Sequence, residues 1–234
     1  ENRRGLDQHI ADFEKALESK GNTPKHVDET ACKVRTVVDS VKAELISQLS
    51  PSAVLNTIGE LRKGGLGLRS CNKYLRAIKQ FSRWLSRDGR TANDTLAHLS
   101  LFNEKTDRRY VRRDMLPDEL IRLIHAARGG PDVLGIGGED RSILYCLAAG
   151  TGYRASELAS LTPVSFDLTS DAPTVSVQAT HSKRRRDDVQ EIRTDLAELL
   201  KPWLANKEAG EPSFNVPEKT AKMLRADLSS ARQK

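Results

Sequence analysis

The sequence lacks the ingredients of a membrane span, a disulfide framework or a metal site. Three cysteines in 234 residues, Cys32, Cys71 and Cys146, are odd in number and widely spaced. They exclude a cysteine-based zinc cluster and predict reduced thiols in an intracellular protein. No apolar run approaches the roughly 20 residues that a membrane helix needs. No charged-then-apolar leader opens the chain, and the expectation is a soluble, cytoplasmic protein. His9, His26 and His98 are scattered singly, without ligand spacing. Gly135-Ile136-Gly137-Gly138 is glycine-rich, but no Lys-Ser/Thr follows it and no strand precedes it, which argues against a nucleotide loop. No Ser/His/Asp or Cys/His arrangement stands out, and no cofactor is expected.

Charge is what the sequence has, unevenly spread. The net charge of +6 is modest, but residues 1–110 hold 20 Lys+Arg against 14 Asp+Glu, while residues 111–234 hold 18 of each. The first half therefore carries the whole excess. Between Leu61 and Arg90 nine basic residues meet one acid, Asp88. Arg69–Arg87 contains no Pro or Gly and reads as a helix between a glycine-rich turn and Asp88-Gly89. At about 100° per residue, Arg69, Lys73, Arg76, Arg83 and Arg87 share one stripe with Lys79 at its margin. Cys71, Leu75, Ile78, Phe81 and Leu85 fall opposite. A basic stripe can simply be solvated; without interleaved Glu to relieve self-repulsion, it suggests a phosphate backbone.

The first half reads as four helices, at Leu6–Ser19, from Pro24 to about Val41, from Pro51 to about Lys63, and the basic helix. Thr23-Pro24 and Ser50-Pro51 supply N-caps with Pro at the first helical position. From Asn103 to Asp114 the periodicity lapses into charge, read as a basic linker whose Arg109, Arg112 and Arg113 could lie along DNA. The second half mixes types: helices at Pro117 to about Arg128, Arg141–Ala149 (apolar nearly all round), about Ala155–Leu161, about Asp195–Lys207 and about Pro217–Ala231. A strand at Thr174–Ala179 pairs with Val189–Ile192 across a basic tip, His181–Asp188. The expected division is 1–102, helical; 103–114, linker; 115–234, mixed α+β. His125-Ala126-Ala127-Arg128 has the form HxxR, but its place on the first helix of the second half favours surface or packing.

Two positions in the second half could carry chemistry. Arg154, in GTGYRASEL, follows a glycine turn and precedes a helix start, where a guanidinium can grip two oxygens of a phosphate. It could equally be an ordinary i,i+3 pair with Glu157. Lys183, in HSKRRRDD with Arg184 and Arg185, occupies the hairpin tip. Near a phosphate it could donate a proton to a leaving oxygen; otherwise such a tip contacts backbone or solvent.

TGYRASELASLTPVSFDL, the strand TVSVQA with HSKRRRDDVQEI, and the approach RRYVRRDMLPDEL together resemble the tyrosine recombinases of the phage-integrase family. The resemblance implies a mainly α protein. A four-helix, SAM-like core-binding domain would precede a mixed α+β catalytic domain with a small sheet. Arg154 would be the first catalytic arginine, Glu157 its supporting carboxylate and Lys183 the catalytic lysine. Arg69, Lys73, Arg76, Lys79, Arg83, Arg87, Arg109, Arg112, Arg113, Arg184 and Arg185 would contact DNA. The family reaction is site-specific cutting and rejoining of double-stranded DNA through a 3′-phosphotyrosyl intermediate, without metal or nucleotide, by a homotetramer on two duplexes. It implies a cytoplasmic, nucleoid-associated protein. In the family an HxxR box and a nucleophilic tyrosine follow the lysine, whereas Tyr74, Tyr110, Tyr145 and Tyr153 all precede it. The expectation is a catalytic domain incomplete at its C-terminus. The alternative is a non-catalytic DNA-binding protein, either a degenerate recombinase or a regulator.

Overall fold

Apolar residues at three- and four-residue spacing make the first half helical. The computed structural model describes residues 4–111, 113–183 and 185–233, and the chain divides into two units, Glu1–Arg112 and Arg113–Lys234. In the first unit, α1 (Leu6–Ser19), α2 (Pro24–Val41), α3 (Pro51–Lys63) and α4 (Leu68–Arg87) enclose one core. The Thr23 and Ser50 hydroxyls accept from the His26 and Ala53 amides at the starts of α2 and α3, satisfying donors that a helix start leaves open. Phe13, Phe81 and Trp84 pack ring to ring at 5.4–6.0 Å between centroids. Val34, Ile58, Leu75 and Ile78 are fully buried, each contributing about 1.5–3 kcal/mol by leaving water.

The expected linker begins as part of this unit. Buried Asn72 donates to the Phe102 carbonyl and accepts from the Phe102 amide, both at 2.9 Å. Residues Glu104–Asp107 form a 3-10 turn. The Asp107 carboxylate then accepts from the Leu68 amide at 2.6 Å, capping α4 from 39 residues away. Arg109 donates to the Gly65 carbonyl at 2.8 Å. None of these tertiary bonds leaves a periodic signal, which is why the segment reads as linker.

In the second unit, α5 (Pro117–Arg128) packs against α6 (Gly138–Thr151) and α9 (Thr220–Gln233). A Cβ at Gly138 would lie 2.5 Å from the Ala127 carbonyl and 2.7 Å from that of Gly130. The glycine-rich loop thus serves a close approach of backbones. His125 and Arg128 of the HxxR are exposed on α5. Strands β1 (Phe166–Asp167), β2 (Thr174–Val177) and β3 (Asp188–Glu191) form an antiparallel sheet in that order, with Val175 opposite Gln190 and Val177 opposite Asp188. Val175 and Val177 turn into the core. At two residues, β1 is too short to show alternation in a sequence. Two helices complete the unit, α7 (Ala155–Ala159) and α8 (Thr194–Leu204).

An arginine is the largest fully buried side chain. Arg141, on α6, makes two 3.0 Å bonds to the Asp227 carboxylate on α9 and donates to the Ile136 and Ala127 carbonyls. Tyr145 donates its hydroxyl to the same carboxylate at 2.7 Å, and burial foremost pushes its pKa upward. This network joins α5, α6 and α9. Among the described residues no helix is long and apolar enough to cross a membrane.

Candidate active site

Gly152, at φ 67, ends α6 in the left-handed conformation that glycine adopts without strain. The chain then turns through Tyr153 to Arg154, the residue before α7. Tyr153 is buried, and its one hydroxyl hydrogen is shared between the carbonyls of Val175 at 3.1 Å and Asp188 at 3.3 Å. Burial foremost, with Asp188 and Glu157 nearby, pushes its pKa up to about 12. This phenol thus pins the arginine turn to β2 and β3. Sequence reading passed over it, since one Tyr in a glycine-rich turn carries no pattern.

Glu157 is the junction. It is 5% exposed; Oε2 accepts from the Arg154 amide at 2.8 Å, and Oε1 accepts from the Arg154 guanidinium at 2.8 Å and the Lys183 amide at 3.4 Å. One carboxylate therefore joins the arginine turn to the lysine hairpin, 26 residues on. Burial pushes its pKa up, but the bonds from Arg154 and Lys183 outweigh that and hold it below the ordinary value of 4.5. Its contribution to stability is thus complete above pH 4.5 and fades as pH falls through the lowered value of the folded state. The melting-temperature gap between wild type and Glu157→Gln should therefore narrow below pH 4.5. A gap constant with pH would deny the linkage.

The Arg154 side chain remains 56% exposed, and Lys183 is exposed at the hairpin tip. The Arg154 guanidinium is paired to the buried carboxylate of Glu157, and Lys183 meets the same carboxylate through its backbone amide. A half-exposed guanidinium of this kind can bind an anion such as a phosphate. Arg185, at φ 52, belongs to the hairpin turn and donates its amide to the Ser182 carbonyl. Arg184 lies outside the described residues, as does Arg112. Arg113 is committed to Glu119 through two bonds of 2.6–2.7 Å, which hold that carboxyl down at about 2. Among the described residues no group of three or more His, Cys, Asp or Glu side chains could hold a metal ion.

On the first unit, Arg69, Lys73, Arg76, Arg83 and Arg87 are exposed along α4 as the stripe requires. Lys79 instead turns its ammonium to the Ala97 and Leu99 carbonyls. Arg90, at the end of the basic segment, bridges Asp12 and Asp88 and covers the Trp84 ring at 4.5 Å. Arg109 is half exposed and pairs with Asp107. The acid missing within α4 is supplied from outside it: Glu104 lies 3.2 Å from Arg76 and 3.9 Å from Arg69.

No protein-family model matches the sequence, and no curated protein matches it. Solved structures do. A lambda integrase tetramer bound to a Holliday junction superposes with a TM-score of 0.73 at 16% identity, over 98% of this chain and 67% of that one. The chain has the integrase fold. Lambda integrase bound to DNA gives a TM-score of 0.69 at 16% identity, over 98% of this chain and 78% of that one. The Tn1549 transposon integrase in complex with a circular intermediate DNA gives 0.62 at 13%, over 92% and 69%. The expected mainly helical architecture with a small antiparallel sheet is met, and the resemblance to tyrosine recombinases extends to the fold. Within that integrase fold, Arg154, Glu157 and Lys183 form one cluster on the second unit.

Proposed function

We propose that this chain carries the DNA-binding unit and the arginine–lysine part of the catalytic unit of a site-specific DNA recombinase. The observation that carries the reading is Glu157, which ties the Arg154 turn to the Lys183 hairpin although neither motif predicts the other by spacing. In this reading residues 1–102 grip double-stranded DNA, 103–114 follow its backbone and 115–234 act on it. Arg154 binds the scissile phosphate and stabilises the charge that develops on its oxygens. Lys183 gives a proton to the leaving 5′ oxygen. Glu157 is a positioning residue.

A tyrosine hydroxyl attacks phosphorus and gives its proton to solvent, the P–O bond to the 5′ oxygen breaks as that oxygen takes the Lys183 proton, and one phosphodiester is exchanged for a phosphotyrosyl ester of similar energy. Rejoining reverses the exchange on a partner strand, so no cofactor is consumed. The hydroxyls of Tyr145 and Tyr153 are engaged in the core, and neither is assigned as nucleophile. The tetramer seen for lambda integrase on a Holliday junction supports assembly of four protomers on two duplexes.

Binding to duplex DNA tests the first part of the reading. Arg83 and Arg87 are exposed on the α4 stripe and, unlike Arg69 and Arg76, pair with no carboxylate among the described residues. Replacing both with Ala should weaken binding uniformly across sequences and reduce the slope of log K against log salt by about 2, since each phosphate contact adds about 0.9. An unchanged slope would mean that the stripe faces solvent.

A further inference from the structure

A carboxylate fixed on a phosphate-binding face repels the backbone it is meant to meet, unless it finds a donor of its own. Glu104 is such a carboxylate. Its Oε1 accepts 2.9 Å and 3.2 Å bonds from buried Asn72 and from Arg76, and Asn72 is itself locked to the Phe102 backbone. Among the described residues Oε2 accepts no hydrogen bond, and Nε of Arg69 stands 3.9 Å away. The Asn72 bond foremost, with Arg76, lowers the carboxyl pKa, and the group stays ionised at neutral pH. Glu104 lies on the wall of a groove of ≈ 780 Å³ lined also by Arg69, Ser70, Lys105 and Tyr110. The Glu104 side chain is one-third exposed, and Arg76, more than half exposed, lies beside the groove and not on its wall.

We propose that Glu104 and Arg76 together read one C·G base pair in the major groove: Oε2 accepts from the cytosine N4 amine, and the Arg76 guanidinium donates to O6 and N7 of the paired guanine. The inference rests on the reading that this face meets duplex DNA. The couple sets an acceptor 3.2 Å from a donor, and a C·G pair displays the complementary donor beside acceptors. Thymine O4 and guanine O6 would face the carboxylate with a second acceptor. Adenine offers an amine, but its adjacent N7 repels the carboxylate, whereas cytosine has only C5–H beside N4. Arg76 gives one N–H to Glu104 and keeps the rest of its fork for guanine.

The test is selection from a pool of randomised duplexes, using the intact chain and its Glu104→Gln variant. The carboxamide keeps an oxygen for Asn72 and Arg76 and sets an NH2 where Oε2 stood, preserving the local structure while exchanging acceptor for donor. Wild type should enrich C·G at one position by about tenfold, the range of a good side-chain to base contact. Glu104→Gln should lose that enrichment and favour T or G there, leaving other positions unchanged. Identical base profiles, with the variant merely binding every duplex more tightly, would overturn the proposal and leave Glu104 a structural tie. Failure of wild type to bind any duplex at low salt would overturn the proposal together with the DNA reading beneath it.

Discussion

Arg154→Ala should leave DNA binding within a few fold of wild type and lower strand cleavage by about 10²–10³-fold, the usual loss when one preorganised oxyanion donor is removed. The separation follows from the geometry. The guanidinium is more than half exposed, and among the described residues Glu157 is the carboxylate it pairs with, so its loss leaves little space to fill. Glu157 would still accept from the backbone amides of Arg154 and Lys183, and the junction would persist. Arg154→Lys should recover only part of the rate, because an ammonium restores the charge without the two-pronged grip. The check is a gel-shift titration beside a cleavage time course. Binding and cleavage lost in parallel would make Arg154 a structural residue.

Asp227→Ala should destabilise the second unit by about 3–5 kcal/mol, the cost of stranding a buried charge. Arg141 is wholly inaccessible, and no other carboxylate reaches it among the described residues. The Tyr145 hydroxyl would lose its acceptor at the same time, adding about 1–3 kcal/mol for an unsatisfied buried group if water does not enter. Replacing both ends, as Arg141→Met with Asp227→Leu, should cost less than Asp227→Ala, because no charge is left stranded and only the Tyr145 hydroxyl and the carbonyls that Arg141 served lose a partner. Hydrogen exchange at the α6 amides in urea reads the difference. Equal losses in the single and double variants would show that the helices, not the ion pair, fasten α9.

How legible these features were follows from the range of the interactions behind them. The helices of the first unit rest on local signals: apolar spacing, Thr23-Pro24, Ser50-Pro51, and the glycines flanking α4. All are readable along the chain. The β2–β3 hairpin is similarly local, and so is the basic stripe. What escaped reading is long in range. Arg141, read as part of a buried apolar helix, is indeed buried, but its partner lies 86 residues away. Glu104 relieves the stripe from beyond the helix, and Asp107 caps α4 across 39 residues. In the site, Arg154 and Lys183 are singled out by the family resemblance. Their union through Glu157, and the bracing phenol of Tyr153, become visible only when the hairpin folds back on the arginine turn.

We propose that a protein of this fold breaks and rejoins DNA through a covalent protein link. A duplex carrying the cognate site, nicked so that the cleaved end diffuses away, tests it in one gel. The wild-type protein should accumulate a protease-sensitive DNA adduct joined through tyrosine to a 3′ phosphate, and Arg154→Ala should nearly abolish it. Tight binding to that duplex without any adduct from the wild-type protein would contradict the account and leave a DNA-binding protein that does not cut.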